Sequence, residues 1–296
     1  DAVGVDCRFD LARCLNVVAR TLKAYAAGGM RMGRSVTVYL AYLAKFIKAR
    51  LSYRVNFFAS LFAAALVSFT GVLFVFFLID GETISGLKGW RREEVLFIYG
   101  YSQIATSLFN VFAPNLYQFG DRYIIQAQFD RILLRPLNTL SQVLFESFEL
   151  EALGSLVVGI GILIYSMIKL GIVFSFAGFA WFIVSTISGA IILLSVFVFL
   201  ASLSFHFEDR FGITPPFYNL INFSRYPLPI FNRVIQFILM WVVPFAFVGF
   251  FPATFFFGRE GFEFFCFLTP VVAGVSLVLA SIAWSAGVAR YTSAGS

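Results

Sequence analysis

Residues 55–79 run for twenty-five positions without a charged side chain. A helix rises 1.5 Å per residue, and a bilayer core of about 30 Å needs roughly 20 apolar residues. The stretch is long enough to cross a membrane, and comparable stretches follow it. Composition agrees: the chain is 60% hydrophobic and 13% charged, with 40 Phe among 296 residues. Soluble domains carry about 25% charged residues, and so many phenylalanines would be hard to bury in one water-soluble core.

Hydropathy and breakers predict an all-α membrane protein with six spans, at 55–79, 95–117, 141–168, 177–203, 234–257 and 264–288. Residues 33–54 read as an amphipathic helix lying on the membrane surface, because Val36, Leu40, Leu43, Ile47 and Leu51 share one side and Arg34, Lys45 and Lys48 the other. Residues 1–32 form an extension of uncertain status, with no apolar core of a signal peptide in it. The segment 171–207 exceeds one span; a turn at 171–176 followed by a span is the reading preferred over a buried helical hairpin. The span at 234–257 is broken by Pro244 and Pro252, which membrane helices tolerate where neighbours re-satisfy the freed carbonyls.

Orientation follows Lys and Arg. With the N-terminus cytosolic, only Lys88, Arg91, Arg92, Lys169 and Arg259 of the 22 basic residues fall outside, which leaves 17 inside. Both termini are then cytosolic, and the segments counted as cytosolic include Arg225. This placement also removes nucleic acid as the reason for the net charge of +6.

Several chemistries lack their residues. One histidine, His206, excludes a multi-histidine metal site, and no H-E-x-x-H or G-x-S-x-G occurs. Cys7, Cys14 and Cys266 make no disulfide framework. No Walker-type G-x-x-x-x-G-K-[ST] exists, so any ATP must bind to another chain. Gln103, Thr106, Ser107 and Asn110 share one face of the second span, where they serve either as glue between helices or as the wall of a wet path. Glu146, Glu149 and Glu151 fall in the first turns of the third, either solvated or paired with Arg, or as a proton relay. The strongest candidate is the connection 118–140. There Phe129, Leu133 and Leu134 stand among Arg122, Asp130, Arg131 and Arg135, a mixture suited either to docking, with apolar anchors inside a charged rim, or to a loop lying on lipid headgroups.

The arrangement resembles the permease subunits of type-2 ABC exporters. Phe129-Asp130-Arg131-Ile132-Leu133-Leu134-Arg135-Pro136-Leu137 is similar to the L-D-x-x-L-x-R-P-L signature of a branch with daunorubicin-resistance-like and viologen-exporter-like members, with Phe at 129 where Leu is usual. Arg225-Tyr226-Pro227-Leu228-Pro229-Ile230-Phe231 is a second match. A third is Val243-Pro244-Phe245-Ala246-Phe247, continued by Phe251-Pro252-Ala253 and Gly258. The resemblance covers residues 33–288. It implies half of a translocation path in a bacterial plasma membrane, with a second permease, the same or a sister chain, beside it. ATP-Mg would be held by separate ABC ATPase subunits. The loop from Arg122 would then be the coupling element. In it Phe129, Arg131, Leu133 and Arg135 would contact the ATPase, and Pro136 would set the start of the third helix. Gln103 and Asn110 would face the partner or the cargo path, and Pro244 and Pro252 would bend the fifth span. Readings of another class are an ion- or proton-coupled carrier, which needs an acid deep in a span, and a membrane-embedded enzyme, which needs a nucleophile–base pair.

Overall fold

A computed structural model describes residues 53–80, 89–135, 137–207, 214–259 and 261–292. The surface helix expected over 33–54, apart from its last two residues, lies outside these, as do Pro136 and the extension 1–32. Among the described residues every regular element is helical.

The chain runs α1 (Arg54–Asp80), α2 (Arg92–Phe112), α3 (Phe129–Leu133), α4 (Thr139–Phe145), α5 (Ala152–Leu170), α6 (Phe176–Phe207), α7 (Thr214–Leu220), α8 (Arg233–Phe237), α9 (Phe250–Phe257) and α10 (Glu263–Arg290). Five of these, α1, α2, α5, α6 and α10, are long and apolar enough to cross a membrane. A sixth crossing can be made only from the broken segment that contains α8 and α9.

α2 is the centre of the bundle. It packs along α5 and α6, and α1 closes on α5 from outside. Close approach is set by small residues. A Cβ on Gly154 would sit 2.1 Å from the carbonyl oxygen of Leu61, so α5 and α1 touch backbone to backbone. Gly100 of α2 is similarly tight against Gly159 and Leu163 of α5. α1 and α10 turn most of their surface outward, with Phe58, Phe62, Phe74, Phe264, Val271 and Val278 among the exposed side chains. In water such surfaces would aggregate; in lipid they are at home.

Local chemistry sets the ends. α2 begins where the Glu94 carboxylate accepts the Arg91 N–H at 2.9 Å, which satisfies one of the free amides of a first turn. α5 ends at Gly171, whose φ of 68° and the Ile172 N–H to Met167 O bond of 3.0 Å form a left-handed stop. α6 starts at Phe176, in agreement with the predicted turn at 171–176.

Three elements differ from expectation. The second helix stops at Phe112, and Pro114 opens a 3-10 turn, Pro114–Leu116. The third span is not continuous: α4 ends at Phe145 and α5 begins at Ala152, so Glu146, Glu149 and Glu151 lie in and beside the break rather than in the first turns of one helix. The predicted span 234–257 is two pieces, Arg233–Val242 and Phe245–Phe257, bent by 77°. Pro244 sits at the bend. Pro252 falls in the first turn of α9, where a missing N–H costs little.

Candidate functional site

The connection between α2 and α5 folds as a compact hairpin. After the 3-10 turn at Pro114, residues Gly120–Ile125 make a π-helical turn. Ala127 takes a φ of 54°, an uncommon value for a side chain with a Cβ, and turns the chain into α3. α4 returns to the bundle, capped by Asn138, whose Oδ1 accepts the Ser141 N–H at 3.0 Å.

A single carboxylate, that of Glu146, gathers this hairpin. It accepts hydrogen bonds from the Tyr123 hydroxyl and the Arg131 guanidinium, and Arg122 lies 3.6 Å away. Arg122 also donates to Asn115 Oδ1 at 3.0 Å and to Gln128 Oε1 at 3.2 Å. Burial, then the hydrogen bond and charge of Glu146, push the Tyr123 phenol up, so it stays a donor at neutral pH. Of the predicted roles for this carboxylate, the Arg-paired one matches the geometry.

Phe129 was expected as a projecting anchor. It is fully buried, with ring centroids of Phe205 and Tyr291 at 5.0 Å, Phe119 at 6.0 Å and Trp284 at 6.2 Å. The period of the short helix α3 explains the difference: Phe129 and Ile132 face inward together, which turns Arg131, Leu133, Leu134 and Arg135 outward. Leu134 is 86% exposed. The Arg135 side chain makes no hydrogen bond or ion pair among the described residues. Asp130 accepts from the Tyr291 hydroxyl at 2.9 Å, and Trp284 Nε1 donates to Thr139 Oγ1 at 3.0 Å, so the hairpin is keyed onto α10.

The polar stripe of α2 is enclosed within the chain. Gln103, Thr106 and Ser107 are buried and Asn110 nearly so. Gln103 Nε2 reaches Ser68 Oγ of α1 at 3.3 Å, Thr106 bonds the Ser102 carbonyl, and Asn110 Oδ1 accepts from the Tyr117 hydroxyl. Of this stripe, Gln103 alone bonds another long helix; Gln103 Oε1 and Ser107 Oγ are buried without a hydrogen-bond partner among the described residues.

Arg225, Tyr226 and Pro227 come next. The charge count put Arg225 in a cytosolic connection; its Nη1 donates to the Tyr99 hydroxyl at 3.3 Å and its guanidinium lies 5.1 Å from the Tyr99 ring. Ser224 Oγ is 2.6 Å from Ser102 Oγ. Tyr99 and Ser102 lie in the middle of α2. The 3-10 turn Ile221–Arg225 therefore reaches the centre of the bundle, and Tyr226 and Pro227 lead into a second one, Leu228–Ile230. Gly249 meets it there: a Cβ at 249 would fall 2.6 Å from Ser102 Cβ and 2.8 Å from Ser224 O. Two half-length pieces, 214–225 and 245–257, thus approach one another at the same depth from opposite ends.

At the opposite rim Arg259 bonds Glu94 Oε2 at 2.6 Å and Gly89 O at 2.8 Å, and stacks 3.9 Å over Trp90. This clasp fastens the α9–α10 connection to the start of α2. Among the described residues no group of three or more His, Cys, Asp or Glu is placed to hold a metal ion.

A family model for ABC-2 family transporter proteins matches residues 66–295. The chain belongs to that family. It is an integral, multi-pass membrane protein of the permease type, the membrane component of an ABC transporter, a class that is generally not itself enzymatic and works with an ABC ATPase. Searches of curated proteins and of solved structures return no match. The permease residues that sequence reasoning missed are Tyr99, Ser102, Ser224, Trp284 and Tyr291, which carry no signal until their partners, more than a hundred positions away, are known.

Proposed function

We propose that this permease is half of an ATP-driven exporter of the daunorubicin-resistance-like or viologen-exporter-like branch. It lies in a bacterial plasma membrane with six crossings, a surface helix before the first and both termini in the cytosol. A second permease, identical or sister, completes the path, lipid surrounds the pair, and ATP-Mg binds to separate ATPase subunits.

The observation that carries this reading is the tip of the α2–α5 hairpin. Leu133, Leu134 and Arg135 are exposed on a segment whose other face is locked down by Phe129 and Glu146. An apolar and basic tip on a rigid base suits transmission of force, because displacement of the tip must move what the base is attached to. Phe129 packs on Phe205 of α6 and on Tyr291 just past α10, so motion of an ATPase would pass to α6 and α10. ATP can drive such a motion only through unequal affinity for two states of the assembly. The carrier reading is less well supported: every acidic side chain described lies at a helix end or in a connection.

The test is co-purification with an ATPase, followed by reconstitution. Leu134→Asp combined with Arg135→Glu is expected to abolish permease-dependent stimulation of ATP hydrolysis while the protein stays folded. Full stimulation by that variant would overturn the coupling role.

A further inference from the structure

Arg225 sits where a charge is expensive. Tyr99 lies seven residues from the start of α2 and thirteen from its end, so it is about 10 Å from one end and about 20 Å from the other. The Ser102–Ser224 contact fixes the backbone at 224 to the same level. A guanidinium carries five N–H donors. One of them meets Tyr99; Nε is buried with no hydrogen-bond partner, and no carboxylate pairs with Arg225 among the described residues. An ionisable group at membrane depth that lacks a protein counter-charge marks a functional position.

The surface leading to it is polar. Tyr218, Asn219 and Asn222 are exposed at spacings of three and four, and Asn222 stands one 3-10 turn before Arg225, hence on the same face. The Tyr218 ring lies 4.7 Å from that of Tyr117, at the hairpin end of the bundle. The stripe therefore climbs from that end to the centre. Exposed amides at such depth do not face lipid tails; they line a wet path. The chain that follows begins with exposed Asn232 and Arg233 and then exposes Val234, Phe237 and Trp241.

We propose that Arg225, with Asn222 before it, is an anion-binding site about two-thirds of the way along the translocation path from the hairpin end, and that its ligand is the anionic head of an amphipathic cargo whose apolar part lies on 234–242. This rests on the permease reading. Arg225 would take a phosphate or carboxylate through the N–H groups that Tyr99 leaves free, a fork geometry that favours oxyanions. Tyr99 holds the guanidinium from behind and so fixes its orientation.

The test uses the full chain in phosphocholine nanodiscs without any ATPase, read by tryptophan fluorescence. The probes are dioctanoyl phosphatidate, laurate, dioctanoyl phosphocholine and inorganic phosphate. At least one anionic amphiphile is expected to bind tenfold or more tightly than phosphocholine and than inorganic phosphate. Arg225→Gln should erase that preference, and Arg225→Lys should keep part of it. Should Arg225→Gln fail to fold, Asn222→Leu, whose exposed side chain makes no hydrogen bond among the described residues, serves in its place and should weaken anion binding severalfold. Equal binding of anionic and zwitterionic amphiphiles by the wild type would sink the site, as would unchanged binding by the variants. Inorganic phosphate binding as tightly as phosphatidate would overturn the amphiphile. Since no ATPase is present, failure here leaves the permease reading untouched, and failure of ATPase coupling leaves this measurement untouched.

Discussion

The Tyr291 hydroxyl donates a 2.9 Å hydrogen bond to Asp130 Oδ1, which ties the residue just past α10 to the tip of the α2–α5 hairpin. Burial first, and then the hydrogen bond and charge of Asp130, push this phenol up to about 12 from an ordinary value of 10.0. The folded state thus holds the proton more tightly than the unfolded one. The bond's contribution is complete below pH 10 and is lost as pH rises through about 12. Difference absorbance titrations of wild type and Tyr291→Phe should differ by one phenol that titrates near pH 12. The stability gap between wild type and variant should close over the same interval.

Phe129 and Leu134 should behave oppositely, although they are five residues apart. Phe129→Ala opens a void among Phe119, Phe205, Trp284 and Tyr291 and is expected to cost about 3–5 kcal/mol. Leu134→Ala should change stability by no more than about 0.5 kcal/mol. Thermal unfolding in detergent separates the two; equal losses would contradict the inward and outward faces of α3.

Glu146 gives a graded prediction. Arg131 is half exposed, with 53% of its side chain accessible, so Arg131→Ala should cost less than about 1 kcal/mol. The Tyr123 hydroxyl is better enclosed. A double-mutant cycle of Glu146→Gln with Tyr123→Phe should give a coupling of about 1 kcal/mol.

Two glycines of α5 make a matched pair. Gly154→Ala drives a methyl against the Leu61 carbonyl and should push α1 off α5, with a fall in thermal midpoint of several degrees. Gly161 has nothing within 4 Å of the place a methyl would take; Gly161→Ala should be neutral or stabilising, by up to about 1 kcal/mol.

Arg259→Lys should not preserve the rim clasp. An ammonium cannot stack flat on Trp90 while bonding both Glu94 and Gly89 O. Protease accessibility of the α9–α10 connection is expected to rise in the lysine variant almost as much as in Arg259→Ala.

The long rods were legible because lipid imposes a simple rule: residues 55–79 lack charge, and α1 covers them. The bend at Pro244 was legible for the same kind of reason, a residue that cannot continue a helix. Phe129 was not, because composition says that a loop holds an aromatic anchor without saying which side of a five-residue helix carries it. Arg225 was legible as part of a motif but its contact was not: neither hydropathy nor a count of basic residues says that it meets Tyr99, whose hydroxyl its guanidinium bonds across the bundle. The break at 146–151 was hidden because three glutamates at a helix start look like a favourable first turn.

α2 combines the least apolar stretch of the five long helices with the deepest enclosure. Glu94, Gln103, Ser107 and Asn110 are satisfied or shielded by other parts of the chain. During synthesis this helix is therefore a poor passenger on its own. Its enclosure comes from α5 and α6, both made after it, so a lesion in either should first show itself as failed insertion of α2.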